Sequence, residues 1–302
     1  MKAGSNLEKV LESGVFAVTA ELGPPKSADP QVIIDKAGIL KGHVDAVNIT
    51  DNQTAIVRMS SAAAARICVE QGLEPVMQMT CRDRNRLAIQ ADILGAAALG
   101  VRNLLCLTGD HQCFGNHPEA LGVFDLDSIT LIKMVREMRD GPVFQNGEEM
   151  TGKSPRLFIG AAANPYADPF PYRVLRLAKK VDAGIDFVQT QIVFNVGKFE
   201  EFMHQCRELG VSERCRILAG VAPLKSAGMA KYMKNRVAGM DVPDEVIERM
   251  SAAGDAQDEG IEVCVDVINR VREIEGVAGV HIMAVEWEKA VPEIVKRAGL
   301  KP

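Results

Sequence analysis

The stretch Arg102-Asn103-Leu104-Leu105-Cys106-Leu107-Thr108-Gly109-Asp110 decides the reading of this chain. An apolar run of strand length stops at Thr-Gly-Asp, which predicts a buried strand carrying a carboxylate at its own carboxyl end. Glycine lets the backbone approach a ligand closely, and Asp110 has no apolar continuation to pack against. The design occurs earlier as well: Val15-Phe16-Ala17-Val18-Thr19-Ala20-Glu21 ends in an acid before Gly23-Pro24-Pro25.

Outward from these two runs, strand-like apolar segments recur at 15–21, 44–50, 74–80, 102–108, 156–162, 186–194, 215–221 and 279–286. Between them lie segments of helical spacing at 30–41, 58–72, 86–99, 126–139, 171–183, 197–209 and 225–236, then a pair at 243–253 and 256–273. Asp127-Ser128 and Pro243-Asp244-Glu245 open their helices in the expected way. Strands alternating with helices at a spacing of roughly thirty residues predict a parallel α/β fold. The count of eight favours a closed (β/α)8 TIM barrel over an open doubly wound sheet. A barrel of this kind takes ~250 residues, so one domain over residues 1–302 fits the length. The weakly patterned segment from Gly141 to Ser154 has a rival reading as a linker between two domains.

A chain with 47% hydrophobic and 25% charged residues reads as soluble and globular. A net charge of −5 gives no sign of a nucleic-acid surface. No apolar run approaches the ~20 residues needed to cross a bilayer, and the first residues lack a signal-peptide core, so the expected location is cytoplasmic. Seven cysteines without a CxxC pair argue against a disulfide framework and against a local iron–sulfur motif. His111, Cys113 and His117 are the one metal-like group; without a local fourth ligand they read as a mobile rim loop, and no metal site is expected.

In such a barrel the active site lies at the carboxyl ends of the strands. Those ends carry Glu21, Thr50-Asp51, Thr80-Cys81-Arg82-Asp83, Thr108-Gly109-Asp110, Ala163-Asn164-Pro165, Thr190-Gln191, Pro223-Leu224-Lys225 and Glu286-Trp287. Each has a bland reading too. Glu21 could be a surface residue opening a loop, Asp110 an N-cap, and 80–85 an Arg-Asp network closing the rim. Lys179 and Lys180 suit a helix C-terminus without any ligand, yet Lys180 could reach a cofactor phosphate. There is no GxGxxG or GxxxxGK[ST], so a nucleotide would have to bind by another route.

Taken together, Ala20-Glu21-Leu22-Gly23-Pro24-Pro25, Thr80-Cys81-Arg82-Asp83-Arg84-Asn85, Leu107-Thr108-Gly109-Asp110, Lys180-Val181-Asp182-Ala183-Gly184 and Thr190-Gln191 resemble the methylenetetrahydrofolate reductase family over nearly the whole chain. The resemblance implies a barrel holding FAD, or FMN in its place, that reduces 5,10-methylenetetrahydrofolate to 5-methyltetrahydrofolate by hydride transfer from reduced flavin. It implies that Glu21 is the general acid that opens the folate imidazolidine ring, and that Asp110 is the aspartate between flavin and pterin. Gln191 would contact the folate. Thr50, Asp51, Gln53, Gln78, Thr80, Thr108, Gly109, Asp125, Asn164, Lys179 and Lys180 would surround the flavin. A proton donor needs a carboxyl held above its usual range by desolvation, whereas Asp110 must stay ionised, so the two acids need different environments.

Several positions depart from the better-known bacterial pattern. A flavin-contacting histidine is Gln78 here, and an arginine preceding Gly-Asp is Thr108. A stacking aromatic is replaced around Met229 to Met233, and an arginine for the folate tail falls at Glu286-Trp287. The ending Val280 to Glu288 resembles a subgroup from anaerobes that works with a metal-containing partner subunit. The implied electron donor is therefore NAD(P)H or an electron-transfer partner subunit with metal or iron–sulfur centres, and a homo-oligomer is compatible with the family. Two competing readings are a proline dehydrogenase-like flavin barrel and a flavin- and folate-binding subunit active only inside a complex.

Overall fold

The computed structural model describes residues 1–301, and its eight strands close into one parallel barrel in sequence order. They are β1 (Ala17–Leu22), β2 (Ala46–Ile49), β3 (Pro75–Thr80) and β4 (Asn103–Leu107), then β5 (Phe158–Ala163), β6 (Phe187–Ile192), β7 (Arg216–Val221) and β8 (Val277–Ile282). The ring closes where Thr19 of β1 pairs in register with His281 of β8. The expected (β/α)8 fold is the one observed.

The helices follow the apolar spacing. They are α1 (Asn6–Glu12), α2 (Gln31–Leu40), α3 (Ser61–Glu70), α4 (Arg86–Ala98), α5 (Ser128–Asp140) and α6 (Pro171–Ala183). After these come α7 (Val196–Glu208), α8 (Val211–Arg214), α9 (Ala227–Arg236), α10 (Asp244–Ala252), α11 (Ala256–Arg272) and α12 (Val291–Arg297). Several starts are capped by side chains: Asn85 Oδ1 accepts from Leu87 and Ala88 N, and Asp127 Oδ1 accepts from Thr130 N. The stretch from 141 to 154 forms a small antiparallel turn, bridged at Val143 and Glu149, and rests on the core through Phe144 and Met150.

Two apolar layers matter for the site. One lies between the barrel and its helices and supplies most of the core. The other fills the amino-terminal end of the barrel interior, where Ala17, Ala46, Val76, Leu105, Phe158, Phe187 and Leu218 meet Leu7 and Leu11 of α1. Phe158 and Phe187 stack at 5.2 Å there, and Gly160 leaves the room that Phe187 occupies. With this end plugged, open space inside the barrel survives only toward the carboxyl ends. No helix among the described residues is long and apolar enough to cross a membrane.

Candidate active site

A cavity of about 360 Å³ opens at the carboxyl ends of the strands, in the size range of small-molecule sites. Its wall takes Glu21 from β1, Gln78 from β3, Asn164 after β5, Gln191 from β6, and Arg176 and Lys180 from α6. A second cavity of about 280 Å³ continues beside it, sharing Gln78, Leu107, Arg176 and Lys180, and reaching Asp51, Gln53, Thr80, Thr108, Gly109 and Asp110. A third, of about 230 Å³, lies behind Glu21 and is lined by Lys36, Gln53, Arg58 and Glu288. Glu21 thus forms part of the wall of two cavities.

The environment of Glu21 fits a proton donor. Burial pushes its carboxyl up to about 7, and the Glu288 charge adds to this, while Gln53, Lys36 and Arg58 oppose it. Gln53 Nε2 donates to Glu21 Oε1 at 3.4 Å, and Glu288 is paired with Lys36 at 2.6 Å. The acid therefore sits half-protonated near neutral pH, at the end of a strand that fixes its direction.

Asp110 contrasts with it. It is exposed at the rim, and its carboxylate makes no hydrogen bond to the chain. Its backbone is held instead: Arg82 donates from Nη1 to Asp110 O and from Nη2 to Asn52 O, which clamps the loops after β2 and β4 together. Gly109 has a φ of +94°, and a Cβ there would stand 3.0 Å from Thr80 Cβ, so the turn before Asp110 requires glycine.

Other expected residues divide into those that face the cavities and those that build the rim. Asp51 is buried and fully used: it accepts from Thr80 N and Oγ1 at 2.9 Å and from Arg84 at 2.8 and 3.1 Å. Thr108 Oγ1 accepts from Ser128 N at the start of α5. Thr50 is buried beside Gly23 with its hydroxyl unpartnered, outside the cavity walls. Asn164 turns its Oδ1 to Tyr166 and Ala167 N while still lining the cavity, and Gln191 Oε1 accepts from Ile192 N. Gln78 makes no side-chain hydrogen bond to the chain and faces both main cavities.

Besides Thr50, two expected residues lie outside the cavities, both exposed. Lys179 is exposed on α6, because one step along a helix turns the side chain about 100° away from its neighbour Lys180. Asp125 is exposed and binds Arg86 through both carboxylate oxygens, at 2.7 and 2.8 Å, on the outer surface. Neither reaches the cavity.

Conversely, α6 brings in two cations that sequence reading passed over. Arg173, Arg176 and Lys180 line one face at spacings of three and four. Arg173 is anchored on the Ala167 and Asp168 carbonyls, whereas Arg176 makes no ion pair. Lys180 Nζ donates to Ala162 O at 2.6 Å, and burial beside Arg176 holds its ammonium down at about 8. The signal was available as the residues four and seven positions before Lys180. The lining contains no Phe, Tyr or Trp, so a planar ligand would pack on Leu105, Leu107, Leu177 and Met283.

Comparisons with known proteins agree with the fold and show the family. The family model described as methylenetetrahydrofolate reductase matches residues 6–299. The chain is similar to 5,10-methylenetetrahydrofolate reductase of Escherichia coli (strain K12), 22% identical over 301 residues, covering 96% of this chain and 93% of that one. It is also similar to methylenetetrahydrofolate reductase 2 of Schizosaccharomyces pombe, 28% identical over 240 residues and 74% of this chain; the match spans only 35% of that protein's length. Among solved structures, a Clostridium thermocellum protein described as binding two copies of 5-methyl-5,6,7,8-tetrahydrofolic acid shares the fold, with a TM-score of 0.67 and 14% identity over 96% of this chain and 98% of that one. The chain belongs to the methylenetetrahydrofolate reductase family.

Proposed function

We propose that the chain reduces 5,10-methylenetetrahydrofolate to 5-methyltetrahydrofolate at the cavity bounded by Glu21, Gln78 and Gln191, using a bound flavin. The observation that carries this reading is Glu21: a carboxyl held at about 7 in the cavity wall can give a proton at physiological pH and regain it. Ring opening of the folate needs that proton at a substrate nitrogen. Gln191 holds the folate from β6, and the rim carboxylate of Asp110 favours positive charge developing on the substrate.

The residues present fit a flavin. Gln78 offers an unengaged carboxamide, the leucines and Met283 offer apolar faces, and Arg176 with Lys180 supplies positive charge for a phosphate. When bound, the reduced flavin supplies the hydride to the one-carbon unit. FAD is the cofactor favoured, with FMN as the alternative, and the mass of the released chromophore separates them. Glu21→Gln is the functional test. It should retain the chromophore and lose folate reduction; full reduction by this variant would refute the acid role.

A second reading concerns the electron source. The segment that follows Asp110 exposes Phe114, Leu121, Val123 and Phe124. An apolar rim of this kind favours a partner subunit as donor over direct use of NAD(P)H. Oxidation of NADH or NADPH by the isolated chain would select the direct route, and activity with a reduced dye alone would select the partner.

A further inference from the structure

The floor of the larger cavity is polar, although the barrel interior below it is apolar. Asn48 Nδ2 donates to Gln189 Oε1 at 2.5 Å, and Gln189 Nε2 donates back to Asn48 Oδ1 at 3.1 Å. Gln189 Nε2 also donates to Thr19 Oγ1 at 3.2 Å. Thr19 Oγ1 in turn lies 3.0 Å from His281 Nδ1. The four residues come from β1, β2, β6 and β8 and are all buried. The network would close on itself if each of its buried polar atoms were paired within the chain. It does not: among the described residues the one side-chain contact of His281 is made through Nδ1, Nε2 has no hydrogen bond, and His281 lines the cavity.

The network also bears on which ring nitrogen carries the proton. Thr19 accepts from Gln189 and has one hydrogen to give. That hydrogen has two acceptors in reach, Val280 O at 3.3 Å and His281 Nδ1 at 3.0 Å, and we assign it to the shorter contact. Nδ1 is then the acceptor, and the ring's own proton sits on Nε2. Burial pushes the imidazole down to about 3, which keeps it neutral at working pH. The bland alternative, a core histidine satisfied by Thr19 alone, leaves the second ring nitrogen without a partner in the chain.

We propose that His281 is a ligand-contacting residue whose Nε2–H donates to a ring carbonyl oxygen of the fused pyrimidine bound above the barrel floor. The proposal rests on the flavin and folate reading of the cavity. Flavin and pterin both carry such a carbonyl, so the shared chemistry is a neutral donor to a ring carbonyl, and binding measurements distinguish the two sources. Because the donor is neutral, its contribution is independent of pH across the range where Glu21 titrates.

The test titrates wild type, His281→Phe and His281→Gln separately with FMN, FAD and 5-methyltetrahydrofolate. His281→Phe should weaken either the flavins or the folate by roughly tenfold or more, since a carbonyl loses its donor inside a desolvated site. His281→Gln keeps an N–H and should stay within about threefold of wild type. Thr19→Val, which frees the tautomer without removing the ring, should fall between them. Wild-type affinity of His281→Phe for all three ligands would overturn the proposal, as would equal losses in both His281 variants that follow their melting temperatures. Should His281→Phe fail to fold, ¹⁵N-histidine NMR of wild type decides. A protonated Nε2 whose signal moves on ligand addition supports the proposal; a protonated Nδ1, or a signal indifferent to ligand, overturns it. Wild type that binds neither flavin nor folate would be a different result, one that removes the functional reading as well.

Discussion

Replacing Glu21 by glutamine should make the protein more stable at pH 8 while removing its activity. In the folded chain the Glu21 carboxyl is held at about 7 against an ordinary 4.5, chiefly by burial. That interval corresponds to roughly 3 kcal/mol, reduced to about 2–3 kcal/mol because the cavity admits some water. The sign follows from linkage. Between about pH 4.5 and 7 the folded state keeps a proton that the unfolded chain has released, so wild-type stability falls as pH rises through this window. Glutamine is neutral throughout and can still accept from Gln53. Urea denaturation of cofactor-free wild type and Glu21→Gln, at pH 4.5 and pH 8, reads the difference directly. The variant should match wild type at the lower pH and exceed it by about 2–3 kcal/mol at the higher. Equal stability at both values, or a loss at pH 8, would show that Glu21 is solvated and ordinary, and the proton-donor argument would fail.

Other consequences follow from the same geometry. Glu288→Gln and Lys36→Met remove opposite ends of one ion pair behind Glu21, so the Glu21-dependent limb of the pH–rate profile should move down for the first and up for the second; shifts in the same direction would contradict the assigned electrostatics. Arg176→Ala should weaken flavin binding by roughly tenfold or more, and wild-type affinity for the phosphate-bearing cofactor should decline as pH rises through about 8, where Lys180 loses its charge. Arg84→Met leaves Asp51 buried without its bidentate partner and should cost about 3 kcal/mol in denaturant unfolding. Gly109→Ala should destabilise by about 1–3 kcal/mol, because it combines a positive φ with a 3.0 Å approach to Thr80, and should lower activity through displacement of Asp110.

The barrel was legible because its strands are buried on both faces and read as continuous apolar runs separated by capped helices. Its edges were less so. The run read as a strand over 279–286 leaves the sheet after Ile282, and Glu286 takes a φ of 50°. Apolarity continues through Met283 to Val285, and hydrophobic content alone does not separate a strand from an apolar exit. The short helices α8 and α12 carry too few turns for a periodic signal.

Within the site, the ring of strand ends located Glu21, Gln191 and Asp110, but the layer beneath went unread. Thr19 and Gln189 lie two residues before Glu21 and Gln191, on the same inward face, and Asn48 bonds Gln189 across the barrel, so strand period carried much of the information. His281 had no such marker, because its significance depends on the closure of β8 against β1. Lys179 and Lys180 looked equivalent in sequence and are not, since helix rotation sends one to solvent and the other to the cavity. Asp125 depends on where Arg86 stands, which is a tertiary fact.

The most direct measurement is absorbance of the purified chain during one anaerobic mixing experiment. The protein is first reduced, then mixed with 5,10-methylenetetrahydrofolate. The account predicts that a flavin spectrum, bleached on reduction, returns on mixing as 5-methyltetrahydrofolate forms, and that Glu21→Gln keeps the spectrum without the return. A colourless wild-type protein still colourless after incubation with FAD and FMN, or a reduced flavin that the folate leaves bleached, would contradict it.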